Sequence, residues 1–243
     1  MKSVLNGFRQ KQLARFLLLL IAGYPICAES RQNVRFHHLS AEQGLSQSYV
    51  YSIAQDDKGF IWLGTQNGLN RFDGHQFTVF RYDPDDETTI SGETIRHIHR
   101  NQQGKLWIAT DSAGLNRFDP LTGNFRRYQP DTAQPGALPG NRVRLTYSDS
   151  RGRLLAGLDG GGLSLYQPET DDFRTLALPA RHIWNITETL DGCIWLATRE
   201  GLLRLNPDLT LAAHYHSAAS PPFTLPTDQL RSLYTSTTSL LVG

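Results

Sequence analysis

The 243-residue chain has almost no sulfur: two cysteines, Cys27 and Cys193, and one methionine, the first residue. Two cysteines cannot form a disulfide framework. Charge of one sign is missing as well. Lys plus Arg number 24 and Asp plus Glu 23, a net charge of +1, whereas nucleic-acid binders and polybasic membrane-surface proteins need an excess of positive charge. Charged residues make up 19% of the chain, below the usual quarter. Neither a Gly-x-Ser-x-Gly elbow nor a His-Glu-x-x-His pair occurs, so the common hydrolase and zinc-protease motifs are absent. Gly160, Gly161 and Gly162 are not followed by Lys-Ser/Thr, so they read as a tight turn rather than a phosphate loop.

The longest apolar run lies near the start. Lys2, Arg9, Lys11 and Arg15 precede Phe16 to Ile26, and Ala28 closes the segment. This pattern is that of a secretory signal peptide, residues 1–28, and it is too short for the roughly twenty residues that span a bilayer. An uncleaved anchor is the alternative. Tyr24-Pro25-Ile26 before Cys27 lacks the small residues of a lipoprotein signal. The expected location is periplasmic or secreted, where the remaining Cys193 has no partner and reads as an inert packed position.

The rest of the chain is repetitive. Gly59-Phe-Ile-Trp62-Leu-Gly64 returns at Gly104 to Ala109 around Trp107, and at Gly192 to Ala197 around Trp195. Gly152 to Gly157 is the same phrase, with Leu155 for Trp, and successive copies stand 45, 48 and 40 residues apart. A second phrase, Gly68-Leu-Asn-Arg-Phe-Asp73, recurs from Gly114 to Asp119 and, more loosely, from Gly162 and Gly201. Aromatic pairs follow (Phe77 with Phe80, Phe125 with Tyr128), and apolar pairs precede each Trp phrase (Val50/Ile53, Ile95/Ile98, Val143/Thr146, Ile183/Ile186). Short β-branched or aromatic runs bounded by Gly, Pro, Asn or Asp are strands between turns. Four per 40–48 residues is the period of a β-propeller blade. The fold class is therefore all-β, with blades at about 45–82, 90–130, 138–178 and 181–216 and the start of a fifth at 226–243. Gly59, Gly104, Gly152 and Gly192 fit hairpin positions of positive φ. Trp62, Trp107, Leu155 and Trp195 read as inter-blade packing.

These phrases resemble the two-component regulator propeller repeat. The resemblance is carried by Val50, Ile53, Asp56, Gly59, Trp62, Gly64, Thr65, Gly68, Leu69, Arg71, Phe72 and Asp73, and nearly as fully by Ile95 to Asp119. The third copy lacks Trp and Arg, and the fourth lacks Phe and Asp. It implies an extracytoplasmic sensor whose kinase or cyclase, membrane helix and further domains lie beyond this chain. It also implies that residues 34–39 form a strand completing the last blade. The expectation is an N-terminal piece of a longer protein, or a truncated gene product.

Candidate chemistry is sparse. His97 and His99 share a strand face, as do His214 and His216, but no further ligands stand at metal spacing, so these read as rim or surface histidines. His37 and His38 are adjacent and read the same way. The acidic loop Asp83-Pro-Asp85-Asp86-Glu87 lacks the glycine and bidentate glutamate of a calcium loop. Trp184 stands in the strand phrase before the fourth Trp and could stack on a planar ligand or pack. The reading is a non-catalytic ligand-sensing module, with no cofactor and no metal. Its partner is an unidentified small molecule, with oligosaccharide as the candidate class. Nucleic acid is excluded, membrane contact is left to missing parts, and a dimer stays open. The alternatives are a secreted propeller enzyme acting on polysaccharide and a protein-interaction scaffold.

Overall fold

The computed structural model describes residues 38–243 except 223 and 238. The signal-peptide segment and the greater part of the predicted strand 34–39 lie outside the described residues. His38 and Leu39 themselves carry no strand pairing.

A capped 3-10 turn, Ala41–Gln43, precedes the strands. Four antiparallel four-stranded sheets then follow one another along the chain, each in sequential order. The first contains β1 (Val50–Gln55), β2 (Ile61–Thr65), β3 (Gly68–Phe72) and β4 (Phe77–Phe80). The second contains β5 (Ile95–Arg100), β6 (Leu106–Thr110), β7 (Leu115–Phe118) and β8 (Phe125–Tyr128). The third contains β9 (Val143–Ser148), β10 (Leu154–Leu158), β11 (Gly162–Gln167) and β12 (Asp172–Thr175). The fourth contains β13 (Ile183–Glu188), β14 (Ile194–Thr198), β15 (Gly201–Leu205) and β16 (Leu211–Tyr215). A two-stranded sheet, β17 (Leu233–Thr235) with β18 (Leu240–Val242), comes last. This is the expected architecture of four blades and the start of a fifth.

The first strands of the sheets, β1, β5, β9, β13 and β17, lie side by side in that order. The hydrophobic core is divided among the seams. Trp62, Leu69, Ile95, Ile108 and Phe118 fill the first, and Trp107, Leu115, Val143, Leu158 and Phe173 the second. Leu155, Leu163, Ile183 and Leu196 fill the third, while Leu202 and Leu230 with Trp195 begin the fourth. A blade has neighbours on both faces, so both faces are apolar: β6 and β10 are buried at every position.

Two glycines show what the repeat requires. Gly59 has φ +84°, a left-handed turn conformation that costs a glycine little. A Cβ on Gly64 would stand 2.7 Å from Cγ2 of Ile95 in the next blade. The small residue after Trp-Leu therefore lets β5 approach β2.

Candidate functional site

The first strands carry the chemistry, and their repeat register sorts it. Counting from Val50, Ile95, Val143, Ile183 and Leu230, the residue two places on binds the next strand in the first two sheets. Ser52 Oγ accepts the Ile98 amide at 2.9 Å, and His97 Nδ1 accepts the Thr146 amide at 3.2 Å. The residue four places on does likewise in the second and fourth sheets: His99 Nε2 lies 2.8 Å from Ser148 Oγ, and Thr187 Oγ1 lies 3.1 Å from Thr235 Oγ1. His97 and His99 are thus half-buried laces between blades, not rim or surface histidines. Burial, and secondarily the neighbouring His99, pushes the His97 imidazole down to about 4. The neutral ring this favours is the form that can accept from Thr146. Their rings stack 6.3 Å apart. His214 and His216, on and just after β16, also stand together, with ring centroids 4.7 Å apart, and His214 Nε2 lies 2.7 Å from the Glu200 carbonyl.

One place after each starting residue stand Tyr51, Arg96, Arg144, Trp184 and Arg231. The first four are the second residues of β1, β5, β9 and β13 and Arg231 stands two residues before β17, so the topology gathers cationic and aromatic side chains at one end of the strand row. The Arg96 guanidinium lies over the Tyr51 ring at 4.7 Å, and that of Arg231 over Trp184 at 4.7 Å. Tyr49 packs edge-on against Tyr51 at 4.9 Å. Acidic partners come from the ends of the second strands. Arg96 Nε donates to Asp111 at 2.8 Å, and this bond holds the Asp111 carboxyl below the usual carboxylate range. Arg142 and Arg144 share Asp159 at 3.0 and 3.6 Å. His182 stands between Asp159, 3.8 Å away, and Glu200, to which its Nδ1 donates at 2.6 Å. Two buried donors in this group, Arg144 Nε and Trp184 Nε1, have no acceptor among the described residues.

The remaining candidates have structural partners. Arg127 spans the acidic loop, donating from Nη2 to the carbonyls of Asp83 and Asp86 at 3.2 and 2.7 Å. Those oxygens therefore serve a guanidinium. Among the described residues no group of three or more His, Cys, Asp or Glu side chains is placed to hold a metal ion. Gly160 and Gly161 make the turn between β10 and β11. Cys193 is buried, with Arg204 Nη2 3.2 Å from its sulfur. At the other ends of the first strands an open cleft of about 690 Å³ is lined by Tyr147, Glu188 and Tyr234. Its carboxylate, Glu188, is held by the amide and hydroxyl of Ser150.

Sequence reasoning singled out Trp184 but passed over Tyr51, Arg96, Arg144 and Arg231. The available signal was positional: each follows the first apolar residue of its repeat. It also passed over Asn70 and Asn116, which clamp the inter-blade loops. Asn116 is fully buried, with Oδ1 accepting the Ser91 amide at 2.9 Å and Nδ2 donating to Ser91 Oγ at 2.8 Å. Asn70 does the same with Ser46.

Comparison with known proteins agrees with the repeat reading. Residues 44–67 match the family model described as two component regulator propeller. An 82-residue stretch, 33% of this chain, is 39% identical to histidine kinase P4 of Formosa agariphila, and it covers 6% of that protein. Among solved structures, the extracellular domain of a Bacteroides thetaiotaomicron protein described as a putative hybrid two component system superposes with a TM-score of 0.66 at 23% identity. That match covers 86% of this chain and 31% of the other. Virginiamycin B lyase of Staphylococcus aureus superposes with a TM-score of 0.56 at 15% identity, over 78% of this chain and 61% of the lyase. Such identities establish a common propeller fold. The chain thus spans a small fraction of the kinase and under a third of the extracellular domain it matches. No helix among the described residues is long and apolar enough to cross a membrane.

Proposed function

We propose that this chain is the ligand-sensing propeller module of an exported signal-transduction protein of the two-component or diguanylate cyclase type. It works in the periplasm or outside the cell, and it has no catalysis of its own. The transmitter belongs to parts of that protein outside these 243 residues. The observation that carries the reading is the regulator-propeller repeat at residues 44–67. The likeness to a histidine kinase and the signal-like start support it. The ligand is a small molecule, with oligosaccharide as the leading class, seated at the starts of the first strands near Trp184.

A propeller enzyme is the second reading, favoured by the fold shared with a lyase. Glycosidase-type chemistry needs a pair of carboxylates flanking the bond to be broken. Here Asp111, Asp159 and Glu200 are each engaged by arginine or histidine, which supports binding over turnover.

The test has two arms. The full chain fused to alkaline phosphatase, which is active only outside the cytoplasm, is expected to give phosphatase activity. The purified chain, titrated calorimetrically with an oligosaccharide panel, is expected to bind a member and leave it chemically unchanged. A cytoplasmic fusion or a cleaved oligosaccharide would overturn the reading.

A further inference from the structure

We infer that the row of first-strand starts is built for an oxyanion, and that the ligand it takes is a small acidic molecule, an acidic saccharide in particular. This inference rests on the sensing role proposed above and names the chemistry of its ligand.

Buried N–H groups almost always have acceptors, and an orphan needs explaining. Arg144 Nε and Trp184 Nε1 are buried and unpaired among the described residues. They occupy the same repeat position on β9 and β13, strands that touch. Next along the row, Arg231 lies against Trp184, and it has no carboxylate in ion-pair range among the described residues.

Charge points the same way. Arg96 pairs with Asp111, Arg142 and Arg144 share Asp159, and Glu200 is held by His182, while Arg231 adds a fourth arginine with no such partner, four arginines to three carboxylates. The surplus lies at the Arg144–Trp184–Arg231 end, where the unpaired donors are.

A carboxylate or sulfate supplies Arg231 with a counter-charge, and rotation of the Arg144 and Trp184 side chains, whose donor atoms are closed off from solvent here, brings further N–H groups to its oxygens; charge-assisted bonds of this kind are the strong ones. A neutral sugar offers hydroxyls but leaves Arg231 without a counter-charge. The aromatic groups, Tyr49 and Tyr51 at one end and Trp184 at the other, add the flat apolar surface on which ring-shaped ligands stack. Binding sites commonly combine such surface with a few placed polar groups.

The test uses the full chain with three probes, sodium galacturonate and D-galactose as a pair of matched size and sodium sulfate as the bare anion, followed by calorimetry and thermal shift. Galacturonate is expected to bind at least about tenfold more tightly than galactose, the effect of one good charge-assisted contact. Arg144→Gln and Trp184→Phe are each expected to weaken galacturonate by about tenfold, while Arg144→Lys recovers part of the loss. Unliganded melting temperatures report whether each variant folds. Sulfate binding as tightly as galacturonate, with the same variant losses, would support the oxyanion site and assign its energy to the anion alone. Galactose binding as tightly as galacturonate, or variants without effect, would overturn the oxyanion inference and leave the sensing role standing. Failure of all three probes while a neutral oligosaccharide binds would do the same. Failure of every probe and of the whole panel would overturn both.

Discussion

The indole nitrogen of Trp62 donates a hydrogen bond to Asp56 Oδ2 at 2.8 Å, across the turn made by Gly59. The other carboxylate oxygen accepts the amides of Lys58 and Phe60 at 2.9 and 3.0 Å. One acid thus closes the hairpin and satisfies a buried tryptophan. The other sheets vary this arrangement in chemically consistent ways. In the fourth, Thr189 Oγ1 accepts from Trp195 Nε1 at 3.1 Å. In the third, leucine replaces Trp, and Arg153 Nε donates to Asp149 Oδ2 at 2.6 Å where the indole would have. In the second, Asn101 spends its oxygen on the Lys105 amide at 2.8 Å. Its remaining group is a donor, so Trp107 Nε1 is buried without a partner among the described residues.

Asn101→Asp should therefore stabilise the protein. It restores the acceptor present in the first sheet, and a buried unsatisfied donor costs about 1–3 kcal/mol. Part of that gain is lost to burying a carboxylate, which leaves an expected net gain of about 1 kcal/mol. Urea unfolding of the two proteins measures it, and an unchanged or lower midpoint would refute it.

Asp171 ties the second and third sheets together. It accepts from Tyr128 and Tyr166 at 2.6 Å each and from Arg117 at 2.8 Å. Burial opposes its charge, but the tyrosine bonds and the guanidinium outweigh burial, and the carboxyl lies below its ordinary value. Its φ of 55° is left-handed, a conformation asparagine tolerates. Asp171→Asn thus removes charge without backbone strain. It should cost about 1–2 kcal/mol at neutral pH, a figure reduced for the 33% exposure of the side chain. Because the folded value is depressed, this stability is present above the unfolded carboxylate range and is lost as pH falls through the folded one. The gap between parent and variant in urea titrations should narrow on acidification, and a constant gap would count against the charge as its source.

His97 gives a pH effect in a higher window. Its folded value is about 4 against 6.5 for the free side chain. Between those limits the unfolded chain holds a proton that the folded one does not, so stability rises with pH there. Acidification from pH 6.5 to pH 4 should cost about 1–3 kcal/mol from this site. His97→Gln keeps an acceptor for the Thr146 amide and removes the titration, so its stability profile should be flatter over that window. Parallel profiles would mean that His97 does not carry the effect.

Much of the fold was readable because propeller physics acts at short range. Each turn glycine, each β-branched run and each Trp phrase states its own local structure. Even the joint loss of Trp and Arg in the third copy has a local cause. Trp62 faces Arg71 across β2 and β3, and Trp107 faces Arg117 across β6 and β7. Where Leu155 replaces Trp, its cross-strand partner is Leu165. The histidines were misplaced because their partners sit 49 residues away. Nothing in the triplet His97-Ile98-His99 says that the neighbouring blade presents an amide and a hydroxyl to it.

The amino-acid sequence alone determined that this chain builds four-stranded antiparallel blades, because strand, turn and packing residue recur within each 40–48-residue copy. Only the tertiary structure decided which polar residues face one another. Tyr51, Arg96, Arg144, Trp184 and Arg231 are scattered singly along the chain, and they become one row when the first strands pack side by side. Residues about a repeat apart meet through the seams between blades, and which side chain meets which depends on the register of strands distant in sequence.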